Sequence, residues 1–444
     1  MAAAGGGPIM ASEAEEAIRG DEADLDTPDE ARESVPVRAE MRPAEALERL
    51  HRGETIRDAT IAGLRFRGEF ALPVRMERVE LIRPNFGKAA FLDEVALERC
   101  KLVRPSCGHG ASFARGFSLK GSTVIKGHFA RITVRGPWRC DNLKVFGPFV
   151  VIGGRFEDKV RFWDARFGGW VDFKDCTFAG EADFRSFHAE QGFKLIDCRF
   201  EGDALFRGAT SCKKWDAGSS RFDGLLDLSK VKFHDFVYLE AIEAGPKLRL
   251  AFHNALAERI LIRSDQVEGR LASELAGEHG RAMHEYGLLK RVFEGLHRYE
   301  QEDWAFYRFK VNQRKSRPRS WRRPWTQLAR AFDYLFLDLG CGYGTNPARA
   351  VVMSGLLILS FGLIYMADVK ALPVERKPFD LPVTHPLNRV MIGLLTSVSV
   401  FTSGFGSLRD AAVGWVNIPL IAESLLGTLL WGLFIVAFSR KVIR

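Results

Sequence analysis

The residues best suited to chemistry are Thr402, Ser403, Gly404, Phe405 and Gly406, where two glycines alternate with larger residues. Glycine takes positive φ without steric cost, so such a stretch can turn successive carbonyl oxygens toward one side. Four copies around an axis would replace the hydration shell of a monovalent cation with carbonyl oxygens. Downstream, Glu423 is the one charge within residues 415–439, and Gly427 follows it by one turn. An ionisable residue inside an apolar run is a functional position by default. The ten histidines are scattered, and no Ser/His/Asp set, carboxylate pair or metal-ligand spacing stands out. The expectation is therefore no enzyme, and no cofactor beyond the permeant ion.

Positioning such a segment requires elements that hold it at membrane depth. Residues 350–367 run for 18 positions without a charge, and residues 415–439 are long enough for a second span. Between them, residues 390–406 are uncharged, begin apolar and end in Ser, Thr and Gly. Non-helical backbone survives at that depth only where it is buried or lines an aqueous cavity. A short helix over 387–401 and an extended return over 402–406 meet that condition. Arg349 and nine basic residues without an acidic one in 308–330 precede the first span, and Arg440, Lys441 and Arg444 end the second. Both termini are thus expected in the cytoplasm, with the basic block against anionic lipid. Trp325, Leu328, Phe332, Leu335, Phe336 and Leu339 form one helical stripe, the pattern of a helix lying in the membrane interface. The run FLDLGCGYG that ends it has the letters of a methyltransferase glycine-rich loop but no βαβ context, and reads as a turn.

Span, re-entrant loop and span resemble the two-transmembrane potassium channels, and TSGFG is similar to their T-V-G-Y-G filter. Thr402, Gly404 and Gly406 match, Phe405 stands for Tyr, Ser403 for Val, and Ser407 follows where Asp is usual. The resemblance implies a homotetrameric, potassium-preferring filter, a hinge at Gly427, and Glu423 as a carboxylate facing the pore helix. It covers residues 350–444.

Upstream lies a repeat. Stepping by six and five from Phe156 gives Phe162, Phe167, Phe173, Phe178 and Phe184, and continues to Leu239, with uncharged residues two positions before each. Period-2 pairs of inward residues separated by polar turns suit a coiling ladder of short strands, here 22 residues per coil. This pattern resembles the pentapeptide-repeat proteins, which implies a right-handed, four-sided parallel β-helix. Backward extrapolation reaches Val151, Val145, Cys140, Val134 and Phe129, and earlier coils are expected to be degenerate. Cys176 and Cys198 fall one coil apart as buried neighbours, and seven cysteines without a C-x-x-C pair fit reduced thiols.

The expected organisation is multidomain: a disordered acidic segment over 1–42, with 11 acidic and 4 basic residues; a β-helix over 55–250; a helical linker with the basic block over 251–324; an interfacial helix and Gly-rich turn over 325–349; and an all-α pore domain with re-entrant loop over 350–444. The functional expectation is a tetrameric potassium-preferring channel of the inner membrane, its β-helix regulatory or a dock for a protein partner. Nucleic acid is not an expected partner. The alternative is a membrane-anchored scaffold binding a protein partner.

Overall fold

A computed structural model of the chain describes residues 39–317, 324–372, 382, 385–403 and 414–442. From Ala39–Glu40 to Ile260–Leu261 the chain coils into a parallel β-solenoid whose strands form sheets of 17, 9 and 10 members. One turn consists of Arg155–Phe156, Val160–Arg161, Arg166–Phe167 and Val171–Lys174. Each pairs in parallel with the strand 22 residues on: Thr177–Phe178, Ala182–Asp183, His188–Ala189 and Phe193–Ile196. Four strands per turn are the four expected faces, and about ten turns stack.

The period that defines the coil also builds its core. Phe156, Phe178, Phe200 and Phe222 are register partners, with ring centroids 5.0, 4.5 and 4.8 Å apart. Phe162, Phe184 and Phe206 stack in a second column, at 5.4 and 5.0 Å. Each fully buried ring contributes roughly 1.5–3 kcal/mol relative to an exposed one. Corners are turned by residues in the left-handed region, one per rung. Asp175, Asp197 and Ser219, at φ of 53°, 53° and 54°, form one such column; short polar side chains tolerate that conformation. The early coils keep the same order, with Phe70, Phe91 and Phe113 in one column at 5.1 and 5.0 Å.

Both ends of the ladder are covered, as open sheet edges require. Helix α1 (Pro43–His51) buries Ala46 and Leu50 at the first rung, and His51 stacks on Phe70 at 4.4 Å. At the other end lie α2 (Ser264–Val267), α3 (Ala272–Leu275) and the long α4 (His279–Gly295). The Gln266 amide donates to the carbonyls of Leu239 and Glu240, both at 3.1 Å, and the Phe252 N–H donates to Glu285 at 2.8 Å. The solenoid therefore begins earlier and ends later than the expected bounds of 55 and 250. Of the acidic segment over 1–42, residues 1–38 lie outside the described residues, and Ala39–Glu40 already form a strand paired with the first full turn.

Helix α5 (Tyr299–Ser316) packs along α4 as a hairpin, so two helices fill the expected linker. Then come α6 (Pro324–Phe332), a stretch of wide π-type turns over Asp333–Leu339, and a tight turn over Gly342–Gly344 with Tyr343 left-handed at φ 57°. Helical backbone at FLDLGCGYG excludes the strand that a nucleotide-type glycine loop needs. Helices α7 (Pro347–Tyr365), α8 (Pro386–Ser403) and α9 (Asn417–Val442) complete the chain. The segments Pro347–Ala371 and Gly414–Val442 are each long and apolar enough to cross a membrane.

Candidate functional site

Small residues let the three C-terminal helices approach closely. A Cβ on Gly393 would stand 2.5 Å from the Gly362 carbonyl oxygen, so α7 and α8 cross where neither has a side chain. From there α8 runs antiparallel to α7. Arg389 donates to the Met366 carbonyl at 2.6 Å, the Ser397 hydroxyl reaches the Ile358 carbonyl at 2.9 Å, and Phe401 lies beside Ala350, Val351 and Ser354. The start of α9 returns to the level where α8 began: Val416 and Leu420 cluster with Val369, Leu372 and Ile392. The chain thus enters the helix trio at the far end of α7, descends along it to the level of Ser354, and resumes at that same far end.

One polar group sits inside this trio. Glu423 is fully buried on α9 and accepts from the Tyr365 hydroxyl of α7 at 2.5 Å and from the Ser397 hydroxyl of α8. Three helices are pinned by one carboxylate, whose two bonded neighbours satisfy it without an ion pair. The expected contact of Glu423 with the central helix is therefore present, while Tyr365 and Ser397 were not singled out from sequence. Their signal was there: Ser397 follows Gly393 by four positions, on the same helical face.

Gly427 has a different role from the expected hinge. Helix α9 continues unbroken through it, and a Cβ there would stand 3.1 Å from the Phe401 carbonyl oxygen. The missing side chain lets the end of α8 rest on α9. Thr402 is exposed and helical, its hydroxyl donating to the Val398 carbonyl at 2.7 Å, and Ser403 closes the helix. These two residues thus depart from the extended return expected for them. Gly404, Phe405 and Gly406, with Ser407, lie outside the described residues. The last turn of α8 leaves its carbonyls unpaired, equivalent to about half a negative charge at the level of Gly427.

At the other end, charged groups tie the helices to the solenoid's cap. Asp338 takes bonds from Arg314 at 2.6 Å and Tyr307 at 2.8 Å, and Arg349 lies over the Tyr307 ring at 5.0 Å. Arg440, in the last turn of α9, meets Glu302 at 3.1 Å and Asp303 at 3.0 Å and lies over Phe306 at 4.3 Å. Trp325, Leu328, Phe332, Leu335 and Leu339 are exposed along α6 and the turns after it, leaving the expected stripe open on the surface.

The buried thiols are inert by environment. Burial pushes Cys107 up to about 12 and Cys140 well above the ordinary thiol range, and the neighbouring Cys176 thiol, then burial, do the same to Cys198. Arg199 N–H donates to the Cys176 carbonyl at 2.8 Å, which makes Cys176 and Cys198 neighbours on adjacent rungs. Among the described residues, no cluster of His, Cys, Asp and Glu has the makings of a metal site. Comparison with protein-family models, with curated proteins and with solved structures returns no match.

Proposed function

We propose that this chain is the subunit of a homotetrameric monovalent-cation channel, potassium-preferring, in the inner membrane with both termini cytoplasmic. The filter is assigned to Thr402, Ser403, Gly404, Phe405 and Gly406. The observation that carries this reading is the path of α8, which descends between two apolar helices and whose chain resumes at the end it came from. A helix on such a path aims its negative end into the middle of the bundle, where a partly dehydrated cation would be stabilised. The Glu423, Ser397 and Tyr365 contacts fix that aim. In this reading α6 lies in the interface with its apolar stripe in lipid, and the basic residues of 308–330 meet anionic headgroups.

Reconstitution of the purified protein in liposomes with a thallium-sensitive dye tests it. Flux is expected from wild type, and Gly404→Ala should abolish it without loss of tetramer, since a Cβ on a left-handed residue costs about 1 kcal/mol or more in each copy. Gly344→Ala, in the other glycine-rich run, should leave it intact. Absence of flux from assembled, inserted protein, or normal flux through Gly404→Ala, would overturn the assignment. The second reading, a membrane-anchored scaffold binding a protein partner, draws on the helical state of Thr402 and Ser403, and insertion without flux would favour it.

A further inference from the structure

Charge is unevenly distributed along the solenoid. Residues 155–240 hold 14 Lys or Arg and 16 Asp or Glu, whereas residues 99–139, nearly two complete turns, hold nine Lys or Arg and no acidic residue. Lys101 pairs with Glu80 at 3.1 Å, and Arg115 lies 3.9 Å from Asp93. Arg99, Arg104, Lys120, Lys126, Arg131, Arg135 and Arg139 are all exposed and make no ion pair with a described carboxylate. Two of them are stacked by the fold: Arg104 N–H donates to the Ile125 carbonyl at 2.7 Å, and Arg104 and Lys126 occupy the same left-handed corner at φ 52° and 54°. Like charges on successive rungs, about 4.8 Å apart, repel unless a polyanion lies across them.

We infer that this basic band is occupied by the acidic segment 13–33 of the same chain. That segment carries ten Asp or Glu and two Arg. Its tether is in place: Glu40 pairs with Thr60, then Glu80 and Lys101 follow up the same face, which puts Lys101 three rungs, about 14 Å, from the strand that the segment precedes. Six residues separate Glu33 from Ala39, enough to extend about 20 Å. A covalently held polyanion has an effective concentration in the millimolar range, which favours it over a free one. A lipid surface is disfavoured by position. The apolar helices leave from the capped end, and Trp138 is five rungs, about 24 Å, from Leu250 at that end. That separation exceeds two Debye lengths at physiological salt, about 8 Å each. This inference stands apart from the channel reading, since it concerns only the solenoid and the segment before it.

Two measurements on the full-length protein test it. Carbodiimide coupling joins carboxylates to lysine amines, so in an equal mixture of 14N and 15N protein, links from residues 13–33 to Lys120 or Lys126 should form within single-isotope chains and fade at high salt. With heparin as the polyanion probe, the variant Asp21→Asn, Glu22→Gln, Asp24→Asn, Asp26→Asn, Asp29→Asn and Glu30→Gln should gain about tenfold in affinity over wild type at low salt. Adding Arg104→Gln, Lys126→Gln and Arg131→Gln should remove that gain. Links directed to Lys310 or Lys315, links of mixed isotope, or equal heparin affinity with and without the acidic segment would each overturn the inference. So would duplex DNA bound as tightly by wild type as by the neutralised variant, which would make nucleic acid the occupant.

Discussion

The guanidinium of Arg440, in the last turn of α9, rests between the carboxylates of Glu302 and Asp303 on α5, across 138 residues of chain from Glu302. Glu302 is fully buried, and Lys290 is its next cation, at 3.5 Å. Because α5 is packed against the solenoid's cap, this contact is the polar joint between the coil and the end of the last helix.

Arg440→Gln should cost about 3–5 kcal/mol, because it strands a buried carboxylate rather than removing a surface pair. Thermal unfolding in detergent measures it. The double change Arg440→Gln with Glu302→Gln should be milder than the sum of the singles; strict additivity would mean that the two side chains do not interact.

Phe200→Ala should cost about 3–5 kcal/mol through the cavity left between Phe178 and Phe222. In a fold where each rung touches only its neighbours, amide exchange should quicken first around residues 178–222. Uniform exchange across the solenoid would contradict a local ladder.

Glu285 gives a pH dependence of definite sign. Burial raises its pKa, against the opposing bonds from Ser273 and the Phe252 N–H. The folded state therefore holds this proton more tightly than the unfolded chain does. Its contribution to stability is present at low pH and is lost as pH rises through the raised pKa. Glu285→Gln keeps an acceptor for Phe252 and a donor for Ser273, so it should flatten that slope and raise the melting temperature at about pH 8 more than at about pH 5. A variant that melts in parallel with wild type at both would refute the assignment.

Selectivity offers a gain-of-function check. Ser403→Val with Ser407→Asp restores a filter like that of the potassium channels and should raise potassium over sodium flux in liposomes. An unchanged ratio would show that neither serine sets selectivity.

Much of the coil was legible because its inward positions are Phe at a fixed 22-residue interval from Phe156 on. The early turns were harder to read, although they are equally regular in space. Phe70 to Phe91 is 21 residues and Phe91 to Phe113 is 22, so the step alternates. Leu, Val and Ile fill the other slots there and carry no contrast against an ordinary apolar background. In the helical region, apolar length predicted α7, α8 and α9 to within a few residues. Partners across helices were not readable: Glu423 announced itself as a charge in an apolar run, but nothing in the letters ties it to Tyr365, 58 positions away. Gly427 misled for a related reason, since a glycine that permits a bend and one that permits contact look identical in sequence.

The stacked rungs also make the solenoid a ruler. Each coil is bounded by the same corner residues and meets its neighbours in the same register, so removing residues 178–199, one full repeat, would bring Phe156 against Phe200 with every face still paired. The cap, the helices beyond it and the joint at Arg440 would not be altered. The far end would simply stand about 4.8 Å closer. Length is thus a quantity this architecture can change in whole steps, and whatever is held at the first rung can be set nearer to or farther from the apolar helices without redesigning either end.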